Sequence, residues 1–138
     1  MAGASGRTIV QKLGIKPGFR IFMTGLLSVD YAELVGALPA GVTLVPRLTS
    51  SLDMVHLFAT ETSGLAGKLG RSRAAIADDG MVWVSWPKKS SGVATDLSDI
   101  VVRQTALPLG LVDVKVFAID ETWSGLKFVI PKGQRAKR

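Results

Sequence analysis

The sequence predicts an α/β protein with a mostly parallel, six-stranded sheet that ends in an antiparallel hairpin. First, short apolar runs alternate with helical patterns, which is typical of parallel strands joined by right-handed crossovers. Second, the early runs are almost continuously apolar, as expected of strands that helices cover on both faces. Third, only residues 120–122 separate the last two alternating segments, and so short a connection requires antiparallel strands.

The predicted strands are apolar segments bounded by turn residues. They cover residues 19–25, 42–45, 54–60, 81–86, 111–119 and 123–130. Residues 78–80 (Asp-Asp-Gly) predict a turn before the fourth strand. Trp83 and Trp86 differ by three positions, so they face opposite sides of that strand, with Trp83 in the core and Trp86 free to wall a pocket.

Four helices are predicted, one before the first strand and three between strands. A short one over 8–13 ends at Gly14, and Ser28 caps a second whose apolar stripe is Tyr31, Leu34, Val35 and Leu38. Ser63 is the expected cap of a third helix over 64–77, with Leu65, Leu69 and Ile76 facing inward. Asp96 is the expected cap of the fourth, whose predicted buried side is Leu97, Ile100, Val101 and Leu107.

Length and composition indicate one globular domain. Residues 8–131 form the predicted domain, preceded by a disordered stretch over 1–7. The 138 residues include no cysteine, which excludes disulfides, thiolate metal sites and a cysteine nucleophile. His56 is the single histidine, so a site with several histidine ligands is excluded as well.

Positive charge is concentrated in the predicted tail, residues 132–138. The formal net charge is +6, and four basic residues in this tail leave +2 for residues 1–131. A basic tail attracts nucleic acid weakly and without sequence specificity, or serves only as a solubilising end. No apolar run approaches the roughly 18–20 residues that span a bilayer, and residues 1–18 lack the apolar core of a secretory signal, so we expect a cytoplasmic protein without a membrane partner.

The loop WPKKSSG, residues 86–92, is the strongest candidate for a binding site. Ligands of open α/β sheets bind at the carboxyl ends of the strands, where this loop follows the fourth strand. Its lysines offer charge, and its serines and the Gly92 amide offer hydrogen-bond donors, which suits a small anion. The predicted ligand-binding residues are Thr24, Gly25, Thr60, Trp86, Lys88, Lys89, Ser90, Ser91 and Gly92. The alternative is an ordinary polar loop with solvated lysines.

Three other polar features have structural interpretations. His56 lies mid-strand and is expected to be buried with one hydrogen-bond partner rather than to act as a catalytic base. Asp120 and Glu121 are expected to form a turn rather than a metal site. Lys115 is predicted to pair with Lys127 across the last hairpin, and Asp113, an anion or an acidic partner would relieve their repulsion.

Several strings of the sequence are distinctive, above all WPKKSSG and TWSGLKF. The others are KLGIKPG (12–18), DMVHLF (53–58), TDL (95–97), VR (102–103), GLVDVKV (110–116) and AIDETWSGLKFV (118–129). Together they resemble a family of small bacterial proteins classed as a domain of unknown function. The resemblance covers residues 12–131 and transfers no activity.

The segments from 53 onward also resemble the C-terminal half of a Rossmann-like S-adenosylmethionine methyltransferase. That resemblance implies a three-layer fold with strand order 2-1-3-4-6-5.

The sequence departs from the methyltransferase pattern in the segments that bind the cofactor. The loop after the first strand has one glycine, Gly25, and the second strand is followed by Arg47 instead of an acidic residue. We therefore predict no cofactor and a non-enzymatic domain that binds a small anionic ligand or a protein partner. Two alternatives stay open: a nucleic-acid accessory protein that uses its tail, and a degenerate methyltransferase-like enzyme. The sequence leaves the oligomeric state open.

Overall fold

A computed structural model describes residues 7–135, and these residues form one six-stranded sheet in the order β2-β1-β3-β4-β6-β5. β1 pairs in parallel with β2 and β3, and β3 pairs in parallel with β4. β6 runs antiparallel to both of its neighbours, β4 and β5. The predicted fold class and strand order are thereby confirmed. The strands are β1 (Arg20–Thr24), β2 (Thr43–Leu44), β3 (Leu52–Phe58), β4 (Ile76–Pro87), β5 (Val112–Ala118) and β6 (Trp123–Val129).

Helices cover both faces of the sheet and complete three layers. The α-helices are α1 (Ile9–Leu13), α2 (Ser28–Val35), α3 (Leu65–Ala75) and α4 (Asp99–Ala106). Buried side chains of α1 and α2 belong to one hydrophobic cluster, and those of α3 and α4 belong to the other. Single 3₁₀ turns occupy Lys89–Ser91, Leu107–Leu109 and Lys132–Gln134.

The two tryptophans of β4 lie on opposite faces of the sheet, as predicted. Trp83 is fully buried on the α1–α2 side, and Trp86 is buried on the α3–α4 side. The Trp83 indole donates a hydrogen bond to the Leu13 carbonyl at 3.0 Å. This bond fastens α1 to the middle of the sheet, because a buried indole N–H needs an acceptor.

The predicted helix caps are wrong at three places. α2 begins one residue earlier than predicted, with Leu27 in the cap position and Ser28 already helical. α3 is preceded by Gly64 in a left-handed conformation, not by a Ser63 cap. The Asp96 carboxylate accepts a hydrogen bond from the Thr62 amide at 2.8 Å, so Ser98 caps α4 instead.

The buried face of α4 also differs from the prediction. Ile100 is 61% exposed and Leu107 is 50% exposed, whereas Val102 and Ala106 are fully buried. The predicted Leu97 is buried, but it precedes the helix, and the predicted Val101 is partly buried against the core. The prediction is thus wrong for Ile100 and Leu107, because the buried side of the helix is centred on Val102 and Ala106.

Residues 78–80 belong to β4, so the predicted turn before this strand is wrong. Leu52 of β3 pairs with Ile76 of β4, and Met54 pairs with Met81. An advance of two residues along β3 therefore corresponds to an advance of five along β4. The extra residues form an irregularity within the strand, and Gly80 fits there because a Cβ atom would lie 2.9 Å from the Cβ of Ile76.

Part of the predicted basic tail is folded against the domain. The Arg135 guanidinium donates to the Ile130 carbonyl at 2.9 Å, and the Gln134 side-chain oxygen accepts from Arg73 at 3.0 Å. Residues 136–138 and residues 1–6 of the predicted disordered stretch lie outside the described part of the chain. Across residues 7–135, no helix is long and apolar enough to cross a membrane.

Candidate functional site

The WPKKSSG loop leaves β4 at Pro87 and is held by the neighbouring hairpin. The Lys88 amide donates to the Thr122 carbonyl at 2.8 Å, which ties the loop to the β5–β6 connection. Lys89–Ser91 then form a 3₁₀ turn that ends at Gly92, whose φ of +79° favours glycine. The loop therefore has a defined conformation at the carboxyl edge of the sheet.

Two of the predicted hydrogen-bond donors are used inside the loop itself. The Ser91 hydroxyl donates to the Lys88 carbonyl at 2.7 Å and accepts from the Val93 amide at 3.1 Å. The Gly92 amide donates to the Lys89 carbonyl at 3.4 Å. Ser91 and Gly92 thus stabilise the turn, which leaves Lys88, Lys89 and the exposed Ser90 as the loop side chains that can meet a ligand.

A cavity of about 310 Å³ separates this loop from the start of α4 and from the last two strands. We call it the carboxyl-edge cleft. Trp86 contributes an apolar wall, and neither Lys88 nor Lys89 makes an ion pair with any residue between 7 and 135. The lining residues are Trp86, Pro87, Lys88, Lys89, Leu97, Ser98, Asp99, Val116 and Ser124.

The one carboxylate that lines the carboxyl-edge cleft is already paired. Asp99 accepts from Arg103 at 3.0 Å, and Arg103 also donates to Asp113 at 2.9 Å. The hydrogen bonds that Arg103 donates to Asp113 and then to Asp99 raise the pKa of Arg103. Arg103 is shared between Asp99 and Asp113, so these three side chains keep a formal charge of −1, against +2 for Lys88 and Lys89, and the cleft retains a net positive charge.

The remaining predicted site residues lie apart from this cleft. Thr24 lines a different cavity of about 200 Å³, together with Leu57, Lys68 and Arg71. A Cβ on Gly25 would overlap the Phe58 carbonyl oxygen, so Gly25 serves close packing. The Thr60 carbonyl accepts from the Thr95 hydroxyl at 2.6 Å. Of the predicted set, the structure brings Trp86, Lys88 and Lys89 together at one cavity.

His56 is buried as predicted, but it has two hydrogen-bond partners instead of one. Its Nε2 lies 2.7 Å from the Ser85 hydroxyl, and its Nδ1 lies 3.1 Å from the Tyr31 hydroxyl. All three side chains are fully buried. Burial lowers the pKa of His56 to about 3 and raises the pKa of Tyr31. The imidazole is therefore neutral and has no contact with solvent.

The acidic turn of the last hairpin behaves as predicted. The Asp120 carboxylate accepts from the amides of Thr122 at 2.8 Å and Trp123 at 2.7 Å, which closes the connection between β5 and β6. Within the part of the chain that the structure describes, no three acidic or histidine side chains are grouped closely enough to hold a metal ion.

The predicted pairing of Lys115 with Lys127 is confirmed, but the predicted relief by Asp113 is wrong. The two lysines face each other across β5 and β6. Asp113 is opposite Phe128 because the register shifts between Asp113 and Lys115, and its carboxylate pairs with Arg103.

Several residues of the carboxyl-edge cleft were not predicted from the sequence. Ser124 lies opposite Trp86 in the β4–β6 ladder, and Val116 comes from β5. Only the register of the final hairpin against β4 identifies them. The alternation of apolar and polar residues along β5 and β6 predicted which of their side chains share a face of the sheet, but not which of them lie beside Trp86.

Comparison with known proteins shows a shared fold at low sequence identity. A methyltransferase of Aquifex aeolicus that depends on S-adenosylmethionine superimposes with a TM-score of 0.64 and 11% identity, over 87% of this chain and 86% of that one. Aeropyrum pernix fibrillarin with bound S-adenosylmethionine superimposes with a TM-score of 0.60 and 16% sequence identity, over 83% of this chain and 68% of fibrillarin. Magnesium protoporphyrin IX methyltransferase of Synechocystis superimposes with a TM-score of 0.59 and 12% sequence identity, over 88% of this chain and 78% of that enzyme. No protein-family model and no curated protein matches the chain.

Proposed function

We propose that this Rossmann-like domain, whose fold is that of S-adenosylmethionine-dependent methyltransferases, binds a small anionic ligand in the carboxyl-edge cleft without catalysing a reaction. The observation that carries the proposal is the placement of Lys88 and Lys89. Their ammonium groups are unpaired within residues 7–135 and border the same cavity as Trp86. Open α/β sheets bind ligands at this edge.

The cleft best suits a ligand that combines phosphate with an apolar part. Lysine ammonium groups act on phosphate as point charges, and the exposed edge of the largely buried Trp86, with Leu97 and Val116, gives the cleft its apolar wall. The volume of about 310 Å³ is at the lower end of small-molecule sites. Nucleotides and phosphorylated metabolites are therefore the ligand class that we propose.

The environment of the only histidine supports a binding role over acid–base catalysis. Both ring nitrogens of His56 are hydrogen-bonded in the core, at 2.7 Å to Ser85 and 3.1 Å to Tyr31. A general base must reach the proton that it removes, and a fully buried imidazole does not meet a substrate.

The test is ¹⁹F NMR of protein labelled with 5-fluorotryptophan, which gives one signal for each of Trp83, Trp86 and Trp123. AMP and pyrophosphate are titrated at constant ionic strength. We expect the Trp86 signal to shift with saturation, whereas the Trp83 signal comes from the opposite face of the sheet and does not report on this cleft. Tryptophan-to-phenylalanine variants assign the signals.

Charge variants make this test specific. Replacing both Lys88 and Lys89 with methionine is expected to weaken binding by roughly a hundredfold, about tenfold for each lost charge. The matched control replaces Lys68 and Lys132, two exposed lysines that lie away from the cleft, and is expected to bind as wild type does. Equal affinity in both double variants would reject the carboxyl-edge cleft as the site.

Binding of S-adenosylmethionine is a second candidate function, favoured by the shared fold with cofactor-bound fibrillarin. The close contact between Gly25 and Phe58 and the Arg47 that follows β2 both weigh against it. Titration calorimetry with S-adenosylmethionine tests this candidate: saturable heat would support it, and the absence of heat at millimolar ligand would exclude it.

A further inference from the structure

A second group of cations lies at the opposite, amino-terminal edge of the sheet. Lys115 and Lys127 face each other across β5 and β6, and Lys12 lies close to Lys115. Like charges directly opposite in a sheet destabilise it. This cation group has no part in the function proposed for the carboxyl-edge cleft, so its charge needs a separate explanation.

The ammonium group of Lys115 is held by polar and aromatic groups instead of a carboxylate. It donates to the Lys12 carbonyl at 2.8 Å and lies 5.7 Å from the centre of the Phe117 ring. The Lys12 ammonium lies at the same distance from that ring. Burial lowers the pKa of Lys115, and the charges of Arg7, Lys127 and Lys12 lower it further. Both cations are thus fixed in place next to Lys127.

The side chain of Lys127 reaches a cavity of about 350 Å³, which we call the amino-edge cavity. Its ammonium would lie 3.8 Å from a Cβ on Gly14, so it points to the loop after α1. Burial lowers the pKa of Lys127, and the charge of Lys16 adds to that effect. The cavity is lined by Gly14, Lys16, Phe19, Asp53, Asp79, Met81 and Lys127.

The two carboxylates of this cavity form no ion pair with its lysines. Asp53 accepts a hydrogen bond from the Arg20 amide at 2.8 Å, and Asp79 is exposed in the irregular segment of β4. Neither forms an ion pair with Lys16 or Lys127 in the described residues. The lining itself is balanced in formal charge, so it is Lys12 and Lys115, beside Lys127, that add positive charge next to the cavity.

We propose that the amino-edge cavity is a second binding site and that it takes a small organic phosphate. The phosphate group lies between Lys16 and Lys127, where it offsets the repulsion among the neighbouring cations, and the organic part contacts Phe19 and Met81. The cavity has room for roughly ten waters at about 30 Å³ each, which is more than a bare phosphate displaces. Its lining places two large apolar side chains, Phe19 and Met81, beside four charged ones.

The test uses phenyl phosphate as the probe and fluorotryptophan NMR as the readout. The Trp83 indole donates to the Leu13 carbonyl, next to Gly14 in the cavity wall, so binding here is expected to shift the Trp83 signal. Any binding of the same probe in the carboxyl-edge cleft shifts the Trp86 signal instead, and replacing Lys88 and Lys89 removes that second shift alone. The same spectra therefore separate this proposal from the one for the carboxyl-edge cleft. No Trp83 shift at millimolar phenyl phosphate would overturn the amino-edge site.

Four variants complete the experiment. Lys127→Met and Lys16→Met are each expected to weaken phenyl phosphate binding roughly tenfold, the loss of one charge contact. Lys68→Met, at an exposed position on α3, is the control and is expected to bind as wild type does. Asp79→Asn is expected to tighten binding, because it removes a negative charge from the cavity wall. Weaker binding by Asp79→Asn would mean that the carboxylate holds the ligand, which contradicts an anion site.

Stability measurements guard against a folding artefact. Lys127→Met removes one of two opposed charges, so its melting temperature is expected to equal or exceed that of wild type. If Lys127→Met fails to fold, Lys16→Met decides the question, because Lys16 is exposed and lies outside the sheet. Unchanged affinity in Lys16→Met would then reject the proposal.

Discussion

His56 Nε2 lies 2.7 Å from the Ser85 hydroxyl, inside the core between β3 and β4. The Tyr31 hydroxyl meets the other ring nitrogen, and the Phe58 ring stacks on the imidazole at 4.2 Å. A polar chain of this kind is stable in an apolar core only when each member has a partner. Among the described residues, no buried side-chain nitrogen or oxygen lacks a hydrogen bond.

The neutral state of His56 makes stability depend on pH. Burial lowers its pKa from 6.5 to about 3, so between these values the unfolded chain binds a proton that the folded chain does not. The free energy of unfolding is therefore expected to fall on acidification below pH 6.5, by up to about 1.4 kcal/mol per pH unit. Urea unfolding between pH 7 and about pH 5 measures this slope.

The His56→Gln variant is the control for that slope. Glutamine does not titrate, so its unfolding free energy is expected to change less than that of wild type over the same pH range, although it starts lower because the core is disturbed. An identical slope in both proteins would show that other groups cause the pH dependence.

Gly25 is expected to be the least replaceable glycine near the carboxyl edge. It has φ +99°, and a Cβ there would overlap the Phe58 carbonyl oxygen. Gly18 has a similar φ of +80° but open space around it. Gly18→Ala is expected to cost about 1 kcal/mol from backbone strain alone, and Gly25→Ala at least about 2 kcal/mol more. Denaturant unfolding of both variants tests the difference, and equal losses would argue against the close contact.

The Trp83 indole is expected to hold α1 on the sheet. Trp83→Phe removes the donor to Leu13 and leaves a buried carbonyl unpaired, which is expected to cost about 3 kcal/mol with the lost packing. Amide hydrogen exchange is expected to accelerate most in α1. Trp123→Phe, at a half-buried position, is the control. If exchange accelerated equally throughout the chain, or equally in the two variants, Trp83 would have no local role in holding α1.

The orientation of α4 gives a simple mutational contrast. Val102 is fully buried and Ile100 is 61% exposed. Val102→Ala is expected to cost about 2 kcal/mol, and Ile100→Ala no more than about 0.5 kcal/mol. Thermal or urea unfolding distinguishes the two variants. A larger loss from Ile100→Ala would favour the helix face that the sequence predicted.

The strands were predictable because each is an apolar run ended by a turn residue, and the resemblance to methyltransferases supplied their order. The face of α4 was not, because consecutive apolar residues at 100–102 fit more than one helical stripe. The tertiary pairing of Arg103 with Asp113 on β5 accompanies the observed orientation. A local pattern does not contain that contact, which joins two separate elements.

The candidate site was predictable only in its sequence-local part. The loop chemistry identified Trp86, Lys88 and Lys89, which do share a cavity. It also assigned Ser91 and Gly92 to the ligand, whereas both donate hydrogen bonds within the 3₁₀ turn, which the sequence alone does not show. The cavity at the amino edge was indicated only by the pairing of Lys115 with Lys127, since its other residues come from three separate segments of the chain.

Mapping backbone amide shifts during a pyrophosphate titration tests the central claim most directly. Binding in the carboxyl-edge cleft is expected to move the amide signals of residues 86–89 and 97–99, with smaller changes at Val116 and Ser124. Amides around Thr24 and Arg47 are expected to stay in place. Saturable shifts confined to those two positions, or no shift at 86–89 at any concentration, would contradict the account.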